Sequence, residues 1–482
     1  MASVASRAAP DPDAELCYQP VSALIELFRA RKLSPVELLQ AQVRRIERYN
    51  PAVNAITYRH VEQALAEARV SEQRYRDGTA RRLEGITVAL KDEDDRAGWR
   101  TTMGSLLLKD APPASENAAI VDALEAAGAV LHIQTTVPEF YLSAIASTRA
   151  WGTTRNPWNL AFSPGGSSSG SAAALAAGFT TLATGSDMGG SIRIPSSQCG
   201  LYGFKPPFGR VATSEVAYET CGPMARSFDD LVHMQNAIVG PSPKVLSSLR
   251  PRLDYPARYE PIDGWRIAVD WGRGIGELAP GVRQAMADGL AWLRDRGCIV
   301  DEVDCGFAQD QMKTMLDGLM STSMGTLLLT ARQNVDLLSP SVRQLIEKGW
   351  GALGPAQAQA ADDLATRLHR QVQDRVFGRG YRVLLMPTLG SPFIPAEPSD
   401  PADADPQAIA GLRAVMTWPW NLLSRYPVID VPLGIAGRDM PTGLQVVGNT
   451  FDDLAVFRFA AHWAKPPALY AGTLFPAFAS RP

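Results

Sequence analysis

The stretch from Ser163 to Gly209 constrains this chain more than any other. It reads as a Gly/Ser loop, an Ala-rich helix over Ala172 to Ala177, a short apolar run from Thr181 to Thr184, a second Gly/Ser loop, and then Gly200-Leu201-Tyr202-Gly203-Phe204-Lys205-Pro206. Glycine opens backbone conformations that other residues avoid and lets bare N–H groups come close to a second molecule. Ordinary surface loops rarely gather that much glycine and serine around two apolar segments, so the stretch reads as a built site.

Taken alone, the first loop, Gly165-Gly166-Ser167-Ser168-Ser169-Gly170-Ser171, has three readings. One is a phosphate cradle of N–H groups at a helix N-terminus, although the GK[ST] ending is missing. Another is a nucleophile elbow, since Gly166-Ser167-Ser168-Ser169-Gly170 matches GxSxG and His233, His369 or His462 could serve as base. The segment before it ends in Ser163-Pro164 and makes a poor strand, which weakens that context. The third is a plain flexible loop. The second loop, Gly185-Ser186-Asp187-Met188-Gly189-Gly190-Ser191-Ile192-Arg193, changes the weighing. A serine after two glycines suits an oxyanion hole. Val88-Ala89-Leu90-Lys91-Asp92 adds a lysine at the end of a buried strand, where desolvation favours an uncharged amine.

The rest of the chain reads as alternating helix and strand. Val21 to Ala30 forms one helical face, and Ser34-Pro35-Val36-Glu37 is a capping box that opens a second helix ending near Asn50-Pro51. Ile86 to Leu90, Val130 to Ile133 and Leu384 to Thr388 read as strands, Ile120 to Ala127 and Val282 to Arg294 as helices. Alternating helix and strand argue for α/β layers, and length alone leaves the domain count open. About fifteen residues at the start look loose. Residues around 310–350, rich in methionine, and around 390–410, rich in Pro and Asp, are the candidate pocket or lid excursions.

Charge and composition exclude several functions. The 482 residues carry 47 Lys and Arg against 50 Asp and Glu, a formal charge of −3, so no nucleic-acid footprint is expected. No apolar run is long enough for a membrane span and no apolar leader follows a basic start, which gives a cytoplasmic reading without membrane partners. Five dispersed cysteines and five histidines have neither CxxC nor HExxH spacing, so no metal and no cofactor are expected.

These motifs together resemble the amidase signature family, hydrolases that use a Ser–cisSer–Lys triad. The resemblance runs over nearly the whole chain and implies the α/β fold class in the form of one large α/β/α domain over residues 1–482 around a twisted mixed sheet. It is carried by VALKD at Lys91, TTVPEF at Glu139, WGTTRNPWN from Trp151, SPGGSSSGSAAALAAG from Ser163, GSDMGGSIRIPSSQCGLYGFKPPFGRV from Gly185, GPMARS from Gly222, and the late LLMPT, VPLG and PTGLQVVG. It implies Ser191 as nucleophile, Ser167 as the bridging serine after a cis peptide bond from Gly166, and Lys91 as general base. It also implies an oxyanion hole from the backbone of Met188, Gly189, Gly190 and Ser191. Asp187 and Arg193 are expected either to orient the loop or to form a plain ion pair.

Two departures stand out. The pair Lys91-Asp92 is followed by Glu93-Asp94-Asp95, which reads as a solvated acidic loop, with an effect on polarity near the lysine as the alternative, and Asn421 to Pro427 lacks an expected glycine. The order of motifs most resembles stand-alone bacterial enzymes acting on anilides, nylon-type cyclic amides and urethanes. That gives a small-molecule amide or carbamate as substrate and a monomer or homodimer as assembly. Met103, Tyr141, Met315, Met320, Trp418 and Trp420, with Met312, Met324 and Tyr426, are candidate pocket residues. A glutamine-hydrolysing amidotransferase component working with tRNA-binding partners, and a non-catalytic binding protein on the same fold, remain as alternatives.

Overall fold

The computed structural model describes residues 11–322, 325–347, 353–397 and 415–463. Thirteen strands occur in it: β1 (Ile56–Arg59), β2 (Thr87–Lys91), β3 (Val130–Thr135), β4 (Ser147–Thr148), β5 (Gly152–Thr153), β6 (Leu182–Asp187), β7 (Tyr202–Lys205), β8 (Thr220–Ala225), β9 (Arg266–Val269), β10 (Ile299–Glu302), β11 (Val383–Pro387), β12 (Val428–Gly437) and β13 (Met440–Val447). Apart from the small β4–β5 hairpin they form one sheet, in the order β1-β3-β2-β6-β8-β7-β12-β13-β11-β9-β10. The sheet is mixed. β3, β2 and β6 run parallel, as do β11, β9 and β10, while the strands between β6 and β11 pair antiparallel.

Both faces of the central strands are apolar and covered, as a parallel core requires. On β2, Val88 and Leu90 join the larger hydrophobic cluster, whereas Ala89 between them joins a second cluster with Ile46, Tyr49 and the helix Ser169–Ala176. The same alternation splits Leu182 from Ala183 on β6. The fold class expected from the sequence is therefore the one observed.

Element boundaries differ from expectation in instructive ways. The Ser34–Glu37 capping box is present, and the helix it opens runs Pro35–Val53, three residues past the expected stop. Pro51 forfeits only one hydrogen bond in the last turn, and the true stop is Asn54, in the left-handed conformation, whose N–H donates to Asn50 O at 2.7 Å. The methionine-rich segment forms the helices Gln311–Thr322 and Gly325–Arg332. The Pro/Asp-rich excursion is described to residue 397; its remainder, Met324, and the first ten residues lie outside the described residues. No helix among the described residues is long and apolar enough to cross a membrane.

The helix Ser169–Ala176 is seated by glycine. A methyl group at Gly170 would lie 2.3 Å from the Thr136 amide nitrogen and 2.4 Å from the Ala55 carbonyl oxygen, both backbone atoms that cannot swing away. Gly170→Ala should therefore lower the melting temperature by the equivalent of ~1–3 kcal/mol or more. Gly354→Ala, whose methyl meets nothing within 4 Å, is the control. Thermal melts of the two variants check this, and equal shifts would contradict it.

Candidate active site

Three elements converge on one cavity. β2 ends with Lys91, fully buried, and its backbone N–H donates to Thr184 Oγ1 at 2.9 Å. Side chains two apart on a strand share a face, so Thr184 and Ser186 on the neighbouring β6 both face the lysine. Lys91 Nζ donates to Ser186 Oγ at 2.6 Å and to Ser167 Oγ at 2.9 Å. It also lies 2.7 Å from Glu93 Oε2 and 4.8 Å above the Tyr141 ring.

Ser167 follows a cis Gly166–Ser167 peptide bond. Gly166 has no room for a side chain, since a methyl there would lie 2.6 Å from Ser143 O. The next residue, Ser168, ties the two Gly/Ser loops together, its N–H reaching Ser191 O at 3.3 Å. Ser167, Ser186 and Ser191 all line the same cavity. The Lys91–Ser167 link is closed; among the described residues the Ser191 hydroxyl has no hydrogen-bond partner, and it faces the cavity.

The second loop is folded around Asp187, the last residue of β6. Its carboxylate accepts the N–H groups of Gly190 at 2.8 Å and Ile192 at 3.2 Å, and the Arg193 guanidinium at 2.8 and 2.9 Å. Arg193 also donates to Thr417 O, Gln445 Oε1 and Asn421 Oδ1, and Asn421 returns a bond to Asp187. Burial alone would raise the Asp187 pKa; the charge and hydrogen bonds of Arg193 overcome this and hold it at about 2. The two expected roles of this pair are thus one: a buried ion pair that shapes the loop.

That arrangement corrects one expectation. The Gly190 N–H is already spent on Asp187, so it is unavailable to an oxyanion. Among the described residues, the N–H groups of Met188, Gly189 and Ser191 have no protein acceptor, and they are the donors the loop can offer.

The acidic run also departs from expectation, because only Asp95 is exposed. Asp92 accepts the Thr102 N–H at 2.9 Å and Asp94 accepts Thr184 Oγ1 at 2.6 Å. Burial pushes Asp92 up to about 6, and burial together with the Glu93 charge pushes Asp94 up to about 7. Glu93 opposes its own burial through Lys91 and through hydrogen bonds from Glu219, Lys91 and Ser186, and lies below the usual carboxylate range. Burial and the Glu93 charge raise Glu219, on the segment before β8, to about 8. Sequence reasoning missed Ser186 and Glu219, and named Glu93 only within the acidic run beside the lysine. The alternation of Thr184 and Ser186 along β6 was a usable signal for the first, whereas nothing in the sequence pairs residues 93 and 219.

The cavity walls are Phe140, Tyr141, Leu142, Met188, Ile194, Met312, Met315, Leu316, Leu319, Met320, Leu345, Val415 and Trp418. Tyr141, Met315, Met320 and Trp418, named from the sequence as pocket candidates, lie in this wall. Met103 is not in the wall; its carbonyl holds the Phe140 N–H at 2.9 Å. Trp420 and Tyr426 are core residues, packed on each other and on Phe307 and Phe377. None of the five histidines lines the cavity, which leaves the nucleophile-elbow reading without a base. Among the described residues no group of three His, Cys, Asp or Glu side chains could hold a metal ion.

Comparison with known proteins gives a consistent picture. The Amidase family model matches residues 37–457. A glutamyl-tRNA(Gln) amidotransferase chain from Chloroflexus aggregans is 34% identical over 477 residues, covering 92% of this chain and 95% of the relative. Its counterpart from Synechococcus sp. (strain CC9605) is 31% identical, with 94% and 97% covered. Among solved structures, a bacterial aryl acylamidase of the amidase signature enzymes superposes with a TM-score of 0.86 at 25% identity, covering 96% of this chain and 99% of that one. Native peptide amidase from Stenotrophomonas maltophilia gives 0.79 at 25% identity, with 94% and 97% covered.

The Asp187–Arg193 pair generates a stability prediction. Removing one member of a buried pair leaves the other charge unpaired, so Asp187→Asn should cost about 3–5 kcal/mol at pH 7. With a folded pKa of about 2 against about 3.9 unfolded, the pair's contribution is complete above pH ~4 and is lost as pH falls through ~2. Urea titrations of both proteins at pH 7 and pH 2.5 measure this: the gap should narrow in acid. A gap under ~0.5 kcal/mol at pH 7 would contradict the account.

Proposed function

The chain belongs to the amidase family, and we propose that it hydrolyses the C–N bond of amides or carbamates bearing an apolar, aryl-sized group, with Ser191 as nucleophile, Ser167 as relay and Lys91 as base. The observation that carries this reading is the 2.9 Å bond from the Lys91 amine to Ser167, at the rim of a cavity that Ser191 also faces. A neutral Lys91 amine takes the Ser167 hydroxyl proton as Ser167 takes that of Ser191, and the Ser191 oxygen bonds to the substrate carbonyl carbon. The oxygen that gains charge meets the free N–H groups of the 188–191 loop. The proton then returns from Lys91 through Ser167 to the leaving nitrogen as the C–N bond breaks, giving free amine and an acyl-Ser191. Water, deprotonated by the same relay, releases the carboxylic acid or, from a carbamate whose nitrogen has already left as the amine, the carbonic acid half-ester.

The cavity wall supports an apolar substrate. Four methionines, Met188, Met312, Met315 and Met320, can repack around a flat or branched group, and Trp418 and Tyr141 offer ring faces. Glutamine would present an α-carboxylate and an α-ammonium, which a binding site normally meets with opposite charges. Among the described residues, Glu93 is the charged side chain of the lining, and no Arg or Lys faces a carboxylate there. The second reading, a glutamine-hydrolysing component of a tRNA-dependent amidotransferase, is favoured by the names of the relatives at 31–34% identity. Steady-state assays on an anilide, an aryl carbamate and glutamine separate the two. Measurable turnover of glutamine, with none of the aryl substrates, would support the amidotransferase and overturn our reading.

Ser191→Ala and Lys91→Ala should each lower kcat on the best substrate by roughly 10³–10⁶-fold, with the melting temperature retained in Ser191→Ala, because members of one relay fail together. Met315→Ala should change the ratio of kcat/KM between a bulky and a small acyl substrate by ~10-fold or more. Losses equal on all substrates, matched by a lower melting temperature, would make Met315 a core residue only.

A further inference from the structure

Glu139, the acidic residue of the TTVPEF motif, takes no part in the relay. It is 5% exposed, and among the described residues no Lys, Arg or His pairs with it. Buried carboxyls normally have a cation beside them. Here both oxygens accept from uncharged donors: Oε1 takes the Ser105 hydroxyl at 2.6 Å, and Oε2 takes the Ser339 backbone N–H at 2.6 Å. One side chain thus joins pieces of chain that lie 34 and 200 residues away from it. Each piece leads to the cavity. Glu139 is followed by Phe140 and Tyr141, both in the wall and both left-handed, at φ of +51° and +65°. Bulky residues hold that conformation only where their surroundings enforce it. Ser105 closes the turn that starts at Thr102, whose N–H is bound by Asp92 next to Lys91. Ser339 heads the helix Pro340–Glu347, which lays Leu345 in the wall.

We propose that Glu139 is a positioning residue that sets the size of the apolar substrate group the cavity accepts, by fixing the Leu345 wall relative to the Phe140–Tyr141 wall. The inference rests on the reading of this cavity as the substrate site. Glu139 is not itself in the wall, so it touches no substrate and acts through the residues it holds. The described residues of 311–347 are helical or irregular and join no strand of the sheet. No strand ladder therefore sets the distance between this cover and the body below it; side chains do.

Most of the contacts across that boundary are between methionine, leucine and aromatic side chains, which repack readily around a bound group. A hydrogen bond fixes distance and direction more narrowly. Glu139 makes two of them from one buried side chain, one to the cover and one to the turn beside the lysine strand. Arg149 braces the same approach, donating to the backbone carbonyls of Asp336 and of Leu338, the latter at 3.3 Å. A buried carboxyl held only by uncharged donors is a costly joint where apolar packing would hold two segments together. What it adds is a fixed spacing between two walls of the cavity.

The test is size selectivity, which a merely structural role would leave alone. Two substrate pairs vary the two sides of the scissile bond: the p-nitroanilides of hexanoic and acetic acid, and 4-butylacetanilide against acetanilide. Values of kcat/KM and melting temperatures should be taken for wild type, Glu139→Gln, Glu139→Ala, Leu345→Ala and the Glu139→Ala/Leu345→Ala double variant. The glutamine amide can accept from Ser339 and donate to Ser105 Oγ, so Glu139→Gln should keep the wild-type large-to-small ratios. Glu139→Ala loses both ties, and in at least one pair its ratio should move ~10-fold or more toward the larger substrate. Leu345→Ala opens the wall directly and should move the same ratio the same way, with the double variant moving it by less than the product of the single changes. If Glu139→Ala does not fold, Glu139→Asp decides by the same ratio, since its shorter side chain cannot reach both donors. Ratios that stay at the wild-type value in both pairs, a glutamine variant that behaves as the alanine one, or independent effects in the double variant would each overturn the inference. Wild type that turns over none of the four anilides would overturn the functional reading beneath it, whereas wild-type turnover with fixed ratios sinks this inference alone.

Discussion

A carboxylate removed from water needs its lone pairs filled, and Asp187 fills them with the loop that follows it. Three backbone N–H groups, those of Gly190, Ile192 and Arg193, and the Arg193 guanidinium converge on one side chain. Satisfying that charge compels the chain to turn back within six residues, which is what presents Ser191 to the cavity. Arg193 carries the same demand outward. Its remaining donors reach Thr417, Asn421 and Gln445, so the strand β13 and the segment that supplies Trp418 are held to the serine loop by one cation. Thr417 completes the clasp by donating to Gly189 O at 2.6 Å. Gly190 has to be glycine here, because a side chain at its φ of +126° would strike the Thr417 hydroxyl at 2.0 Å.

On this rigid frame sits a more delicate balance of charge. Glu93, Glu219, Asp92 and Asp94 crowd around Lys91, the single cation among them, and the carboxyls act on one another's charge. The cost of burying an unpaired charge keeps Glu219, and partly Asp94, protonated near neutrality. An apolar cavity lies immediately beside this polar cluster. Water excluded from the methionine wall strengthens every electrostatic interaction at the serine, which suits a reaction in which charge forms on a carbonyl oxygen.

Much of this could be read from the sequence, and the parts that could not have physical reasons. The β2 lysine, the two serine loops and their glycines were legible because a tight loop admits few residue types. The sheet was legible from alternating helix and strand. Pairings across long sequence distance were not: Glu93 meets Glu219, and Arg193 meets Gln445, only because β6, β8 and β13 share one sheet. The acidic run 92–95 looked solvated because charge alone says nothing of burial; Thr102, Thr184 and Lys91 supply the partners that permit it. Trp420 and Tyr426 had the composition of a pocket and the packing of a core, and only three-dimensional placement distinguishes the two.

The account depends most on Ser191 being the activated oxygen. Reaction with an aromatic sulfonyl fluoride followed by peptide mass mapping reads this directly, since the adduct stays on the oxygen that attacks. The account predicts one sulfonyl group per chain, located on Ser191. An adduct on Ser167, Ser168 or Ser186 with Ser191 unmodified would contradict it.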